Sequence, residues 1–183
     1  MKFTLHDRNS APEASKPVID QVEKAYGFFP NIYAILAESP VAISTYLHIS
    51  GQLKEHGALT PEQQQIVMLA VSEGNGCGYC VAAHSMVAGM TGVPEETVKT
   101  LREGKFPADP KEAALVRFAK AAMEHSGWIP NGEQEAFLEA GFTPRHVLDV
   151  LSILALKTLS NYTNHLAETP LDSAFEDYRW ERD

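Results

Sequence analysis

The chain predicts an all-α fold, and three features predict it. Apolar residues recur at helical rather than alternating spacing along most of the 183 residues. Ser/Thr-Pro helix starts stand at Ser39-Pro40, Thr60-Pro61 and Thr143-Pro144. No stretch carries a convincing β-hairpin signal. The formal net charge is −9 and the pI about 5.2. An acidic chain with scattered Arg and Lys argues against nucleic acid and anionic membranes as partners.

Taken in order, residues 1–16 are polar and read as an extended arm. No apolar signal-peptide core follows Met1, and no apolar run approaches membrane-spanning length, so the expected location is the cytoplasm. Pro17 starts a helix over Val18–Tyr26, stopped by Gly27. Phe28-Phe29-Pro30-Asn31 reads as a turn with aromatic anchors, followed by helices over Ile32–Glu38 and Val41–His56. Thr60, Pro61 and Gln63 form a capping-box start for Pro61–Glu73, with Gly74 as its C′ residue. A helix opening at Cys77 runs to about Gly89 or Met90. Further helices are expected over Glu95–Glu103, Lys111–Ser126 and Glu133–Ala140. The last runs from Thr143-Pro144 to Leu159 with a possible extension to Ala167. Tail aromatics Phe175, Tyr178 and Trp180 read as packed. These elements make one domain over 17–183, with possible degenerate halves at about 30–106 and 111–172. Leu59-Thr60-Pro61 and Phe142-Thr143-Pro144 carry the faint repeat. At that offset Cys77 falls on Ser160, Tyr79 on Tyr162 and Cys80 on Thr163. The second half is therefore expected to be structural, its thiols replaced by hydroxyls.

The chemistry gathers in Gly74-Asn75-Gly76-Cys77-Gly78-Tyr79-Cys80-Val81-Ala82-Ala83-His84, which holds the only two cysteines. Positions three and four apart share a helix face, so Cys77, Cys80 and His84 are expected together at a helix N-terminus. The helix dipole there favours thiolate over thiol. Cys80 has the shorter route to His84 and takes the attacking role, with Cys77 resolving. Helix position alone favours Cys77. A neutral His84 would accept the thiol proton or return one to a leaving oxygen. Glu73 and Glu62 are the nearest carboxylates in sequence able to orient His84, Gln65 can orient a water, and Tyr79 reads as a lid or packing residue. Two alternatives stay open. Buried cysteines can behave as small hydrophobes. Zinc would find three ligands in the motif and need a fourth from His48, His56 or Glu73. The Asn161-Tyr162-Thr163-Asn164-His165 cluster reads as a helix end or an interface.

The segment from Leu59-Thr60-Pro61 through Ile66–Val71 and Asn75–His84 resembles the carboxymuconolactone decarboxylase/alkylhydroperoxidase D (AhpD-like) superfamily, and more narrowly its peroxidase-related members. Pro30-Asn31, Ser39-Pro40, Asn161–His165 and Thr169-Pro170-Leu171-Asp172 extend the resemblance over most of the chain. The resemblance implies an all-helical homo-oligomer that reduces hydroperoxides by cycling Cys77 and Cys80 between dithiol and disulfide. An external dithiol or thiol protein would be the reductant, with His84 as proton relay and no metal, haem or flavin. Two positions depart from the family pattern. Gln65 replaces a glutamate twelve residues before the first cysteine, and Tyr79 replaces a histidine before the second. The decarboxylase branch lacks the cysteine pair, so the pair argues against lactone decarboxylation. A disulfide oxidoreductase without peroxide activity and a non-catalytic oligomeric module are the rival expectations.

Overall fold

The computed structural model describes residues 2–182, and no strand occurs among them. The helices are α1 (Lys16–Tyr26), α2 (Asn31–Leu36), α3 (Pro40–His56), α4 (Pro61–Gly74), α5 (Gly78–Thr91), α6 (Glu95–Arg102), α7 (Pro110–Glu124), α8 (Asn131–Glu139) and α9 (Pro144–Ala167). No helix among the described residues is long and apolar enough to cross a membrane.

Helix α4 is the hub. Every residue from Ile66 to Ser72 is buried, and the helix packs against α5, α6, α7 and α9. A helix buried on all sides needs apolar residues all round, which this run supplies. Its start is pinned by Thr60, whose side chain accepts from Gln63 N–H while Gln63 accepts from Thr60 N–H. Behind α4, Phe118, Phe137 and Phe142 stack with ring centroids 4.1 and 4.4 Å apart. They tie α7, α8 and the entry to α9 into one core.

The sequence boundaries are displaced in places, each for a local reason. Helix α1 begins before Pro17, because a proline in the first helical turn lacks only an N–H that would be unpaired there. The expected extended arm instead contains a 3-10 turn at Glu13–Ser15. It is anchored by the buried Ser15 hydroxyl donating to Ala37 O at 2.7 Å. Between α4 and α5 the chain reverses within three residues. Gly74 stays helical, Asn75 is the cap, and the left-handed residue is Gly76 at φ +69°. Helix α9 runs unbroken for 24 residues. Of the tail aromatics Phe175 is buried, Trp180 half-buried and Tyr178 exposed.

Beyond α9 the tail turns back over the start of α5. Trp180 Nε1–H donates to Arg102 O at 2.9 Å, and Arg102 donates to Tyr178 O and Arg179 O. The tail passes so close to Gly78 that a Cβ there would lie 2.8 Å from Trp180 O.

Candidate active site

The Gly76 turn places Cys77 as the N-cap of α5 and Cys80 in its first turn. Both are reduced and buried. The two thiols differ in surroundings. Cys80 borders a cavity of about 350 Å³, and Cys77 does not. The cavity is walled largely by Tyr26, Phe28, Tyr33, Tyr46, Tyr79 and Phe175, with Cys80, His84 and Gln65 also on its lining. Its size and apolar walls suit a small organic ligand.

Helix α9 supplies most of the polar surroundings. Asn164 Nδ2–H donates to Cys80 Sγ at 3.2 Å and to Cys77 Sγ at 3.6 Å. Ser160 Oγ lies 3.8 Å from Cys80 Sγ. Lys157, fully buried, donates from Nζ to His84 Nε2 at 2.7 Å. The other imidazole nitrogen, Nδ1, donates to Gln65 Oε1 at 2.9 Å. An amide oxygen only accepts, so His84 carries its proton on Nδ1, and Nε2 is free to accept from Lys157.

The electrostatics follow. Burial alone raises the Cys80 thiol, but the Cys77 thiol, the Lys157 ammonium and the Ser160 hydroxyl together hold it well below the ordinary thiol range. Cys77 is pushed up, first by its hydrogen bond with Cys80 and then by burial. One thiolate stabilised by a neighbouring thiol is the expected state of such a pair. His84 is held well below 6.5 by burial and by the Lys157 charge, and is neutral. Burial and the Asp172 carboxylate push the Tyr79 hydroxyl up.

The sequence-derived candidates separate into two groups. Cys77, Cys80, His84 and Gln65 converge. Glu73 does not: its carboxylate binds Lys120 Nζ at 2.9 Å on the α7 side. Glu62 stays in the first turn of α4 at the Thr60 cap, without a hydrogen bond to His84. Tyr79 lines the cavity, but its hydroxyl donates to Asp172 at 2.5 Å and accepts from Ile32 N–H. Asp172 also receives the Asn31 N–H that opens α2. His165 and Tyr162 are exposed, whereas Asn161 and Asn164 of the same cluster point inward. His48 and His56 border a separate groove with Asp149. Among the described residues no three His, Cys, Asp or Glu side chains form a metal-binding group.

The sequence alone gives Lys157, Ser160 and Asn164 no place at the site: Ser160 reads only as a repeat counterpart of Cys77, and Asn164 as part of a helix-end or interface cluster. Their signal was register: Val150, Ile153, Lys157, Ser160 and Asn164 follow one another at three- and four-residue steps, on a single buried stripe. The second half is thus not merely structural. Ser160, at the repeat offset of Cys77, meets Cys80 itself.

The sequence model of the Carboxymuconolactone decarboxylase family matches residues 40–121. The matched segment is similar to that family. It spans α3 to most of α7, including the whole cysteine motif. No curated protein matches the chain. Solved structures show the same AhpD-like all-α fold over nearly the full length. An uncharacterised peroxidase-related protein from Ralstonia eutropha JMP134, an alkylhydroperoxidase AhpD core, superposes with a TM-score of 0.84 at 22% identity, covering 99% of this chain and 97% of that one. An uncharacterised peroxidase-related protein from Silicibacter sp. TM1040 gives 0.79 at 16%, covering 98% and 97%. A cysteine-to-alanine variant of the debrominase Bmp8, in complex with 2,3,4-tribromopyrrole, gives 0.81 at 18%, covering 97% and 95%.

Proposed function

We propose that the protein is a thiol-dependent hydroperoxidase for small organic hydroperoxides. The observation that carries this reading is the asymmetry of the pair: Cys80 borders the cavity as the favoured thiolate, while Cys77 lies behind it as a thiol. Cys80 sulfur attacks the terminal peroxide oxygen. The O–O bond breaks, Cys80 becomes a sulfenic acid and an alkoxide leaves, which takes up a proton to give the alcohol. The Cys77 thiol then condenses with the sulfenic acid, forming the disulfide and releasing water. An external dithiol reduces that disulfide by exchange. A slender dithiol that can enter the cavity suits the burial of both sulfurs. Self-association is part of the reading, and light scattering in solution tests it.

The test is mass spectrometry after one equivalent of an organic hydroperoxide. The expected product is a Cys77–Cys80 disulfide in the wild type and a trapped sulfenic acid on Cys80 in Cys77→Ser. Absence of both products would reject the mechanism.

The aromatic walls favour one second reading, reductive removal of halogen from a planar haloaromatic, since the debrominase Bmp8 shares the fold. A direct rate comparison between an organic hydroperoxide and a bromopyrrole, with the same dithiol, separates the two.

A further inference from the structure

Lys157 places a cation in the protein interior. It stands in α9 with none of its surface reaching solvent. A buried ammonium without a counter-charge is strongly disfavoured. Among the described residues no carboxylate oxygen comes within 4.0 Å of its Nζ. Its hydrogen bond goes to the imidazole of His84, which is neutral. The titratable groups around this centre are Cys77 at the N-cap of α5, Cys80, His84 and Tyr79 from α5 and Tyr46 from α3. Helix α4 contributes the neutral Gln65, and the carboxylate of Asp172 is taken up by the Tyr79 hydroxyl and the Asn31 N–H. Burial keeps both tyrosines protonated. Cys77 is the thiol member of its pair. Cys80 is the one group left to carry the balancing charge, and Asn164 already aims an N–H at its sulfur.

We infer that Lys157 is the counter-ion of the Cys80 thiolate and the store of the proton that the reduced hydroperoxide takes up. The first half stands on the burial of Lys157 beside His84 with no carboxylate partner, and the second rests on the hydroperoxidase reading. When Cys80 attacks, the O–O bond breaks and the S–O bond forms, so sulfur is oxidised by two electrons and the peroxide becomes an alkoxide. Sulfur thereby loses its negative charge, and Lys157 loses its counter-ion. Its proton moves along the 2.7 Å hydrogen bond to His84 Nε2, as the Nδ1 proton leaves its hydrogen bond with Gln65 Oε1 and passes to the alkoxide. The products are the alcohol, a neutral sulfenic acid, a neutral imidazole and a neutral amine. No unpaired charge stays buried. After disulfide formation, two-electron reduction by a dithiol returns both thiols, and the Cys80 proton goes back to Lys157.

The test uses the full chain and two variants, Lys157→Met and Lys157→Arg, with folding checked by circular dichroism. Iodoacetamide alkylation across pH, read at Cys80 by peptide mapping, follows the thiolate without any peroxide. In wild type, fast alkylation persists well below the ordinary thiol pKa. In Lys157→Met the rate at about pH 6.5 falls about a hundredfold, as the thiol returns to about 8.5. Lys157→Arg keeps alkylation within a few-fold of wild type. It still loses hydroperoxide turnover, because a guanidinium does not release its proton. A wild-type profile centred near the ordinary thiol pKa overturns the ion pair, as does an unchanged profile in a folded Lys157→Met. Full turnover in Lys157→Arg overturns the proton store. If Lys157→Met fails to fold, Lys157→Gln takes its place in the same alkylation series, with the same two outcomes. A wild type that reduces no hydroperoxide, yet loses alkylation with Lys157→Met, sinks the hydroperoxidase reading and leaves the ion pair standing.

Discussion

Helices α4 and α9 start alike and end differently. Both open at a threonine-proline pair; Thr60 closes a capping box with Gln63, and Thr143 pairs with the His146 side chain. The first helix breaks at Gly74–Gly76, so the chain restarts as α5 with two sulfurs at a fresh helix end. The second continues without a break and brings Lys157, Ser160 and Asn164 up to those sulfurs from the side. Only a break creates the exposed N–H groups and positive dipole end that suit a thiolate. Only an unbroken helix holds three polar side chains in one register over two turns. The cysteine pair comes from the interrupted side, and its polar surroundings come from the continuous helix.

Four experiments would break or sharpen this comparison. The largest effect is expected from the interrupted side. Cys80→Ser should abolish turnover, whereas Cys77→Ser should still consume one equivalent of hydroperoxide, and product counting distinguishes them. Equal residual turnover in both would dissolve the assigned asymmetry. On the continuous side, Asn164→Leu removes the donor to both sulfurs without adding a charge. A hydrogen bond to a charged group contributes about 1.5–3 kcal/mol. Cys80 alkylation near neutral pH should therefore slow by roughly ten- to a hundredfold, and an unchanged rate would remove Asn164 from the site.

The break itself can be tested at Gly78. Its Cβ in Gly78→Ala would stand 2.8 Å from the Trp180 carbonyl, so the tail has to shift. Overpacking of this kind costs about 1–3 kcal/mol, readable as a lower denaturant midpoint. A midpoint equal to wild type would show that the tail yields freely.

The smallest effect is the pH dependence of stability. His84 is neutral in the folded chain, while in the unfolded chain it binds a proton as pH falls through about 6.5. Its contribution is full above that value and declines below it. Cys80 acts in the same direction: its contribution is full above about 9.0 and is lost as pH falls toward its depressed folded value. Cys77, held protonated, reverses the trend above about 9.0. Urea midpoints across pH should therefore climb through neutrality. Replacing His84 by glutamine should flatten the part below about 6.5, and an unaltered acid limb would argue that His84 is not held neutral.

Local signals account for most of what was legible in advance. Helix starts at Thr60-Pro61 and Thr143-Pro144 and the stops near Gly27 and Gly141 are written in adjacent residues, because caps act within one turn. The convergence of Cys77, Cys80 and His84 was legible for the same reason, since three- and four-residue spacing fixes a shared face. The local signal points to Gly74 as the C′ residue, whereas Gly74 stays inside α4 and Gly76 takes the left-handed conformation. The reversal depends on Cys77 N–H reaching Ser72 O at 2.9 Å, and that bond spans the whole turn. Glu73 and Glu62 were credible partners for His84 on sequence distance alone. Helix packing turned Glu73 toward Lys120 and left Glu62 at the cap.

By itself, then, the sequence determined an all-α chain with a cysteine pair and a histidine on one helix face. Those properties follow from backbone periodicity and from caps a few residues long. The packing of α9 against α3, α4 and α5 decided the rest. It brought Lys157, 73 residues from His84, within 2.7 Å of it, and placed Asn164, 84 residues from Cys80, against its sulfur. Burial then did what spacing cannot. It made one charge answerable to another across the core, where water no longer screens either.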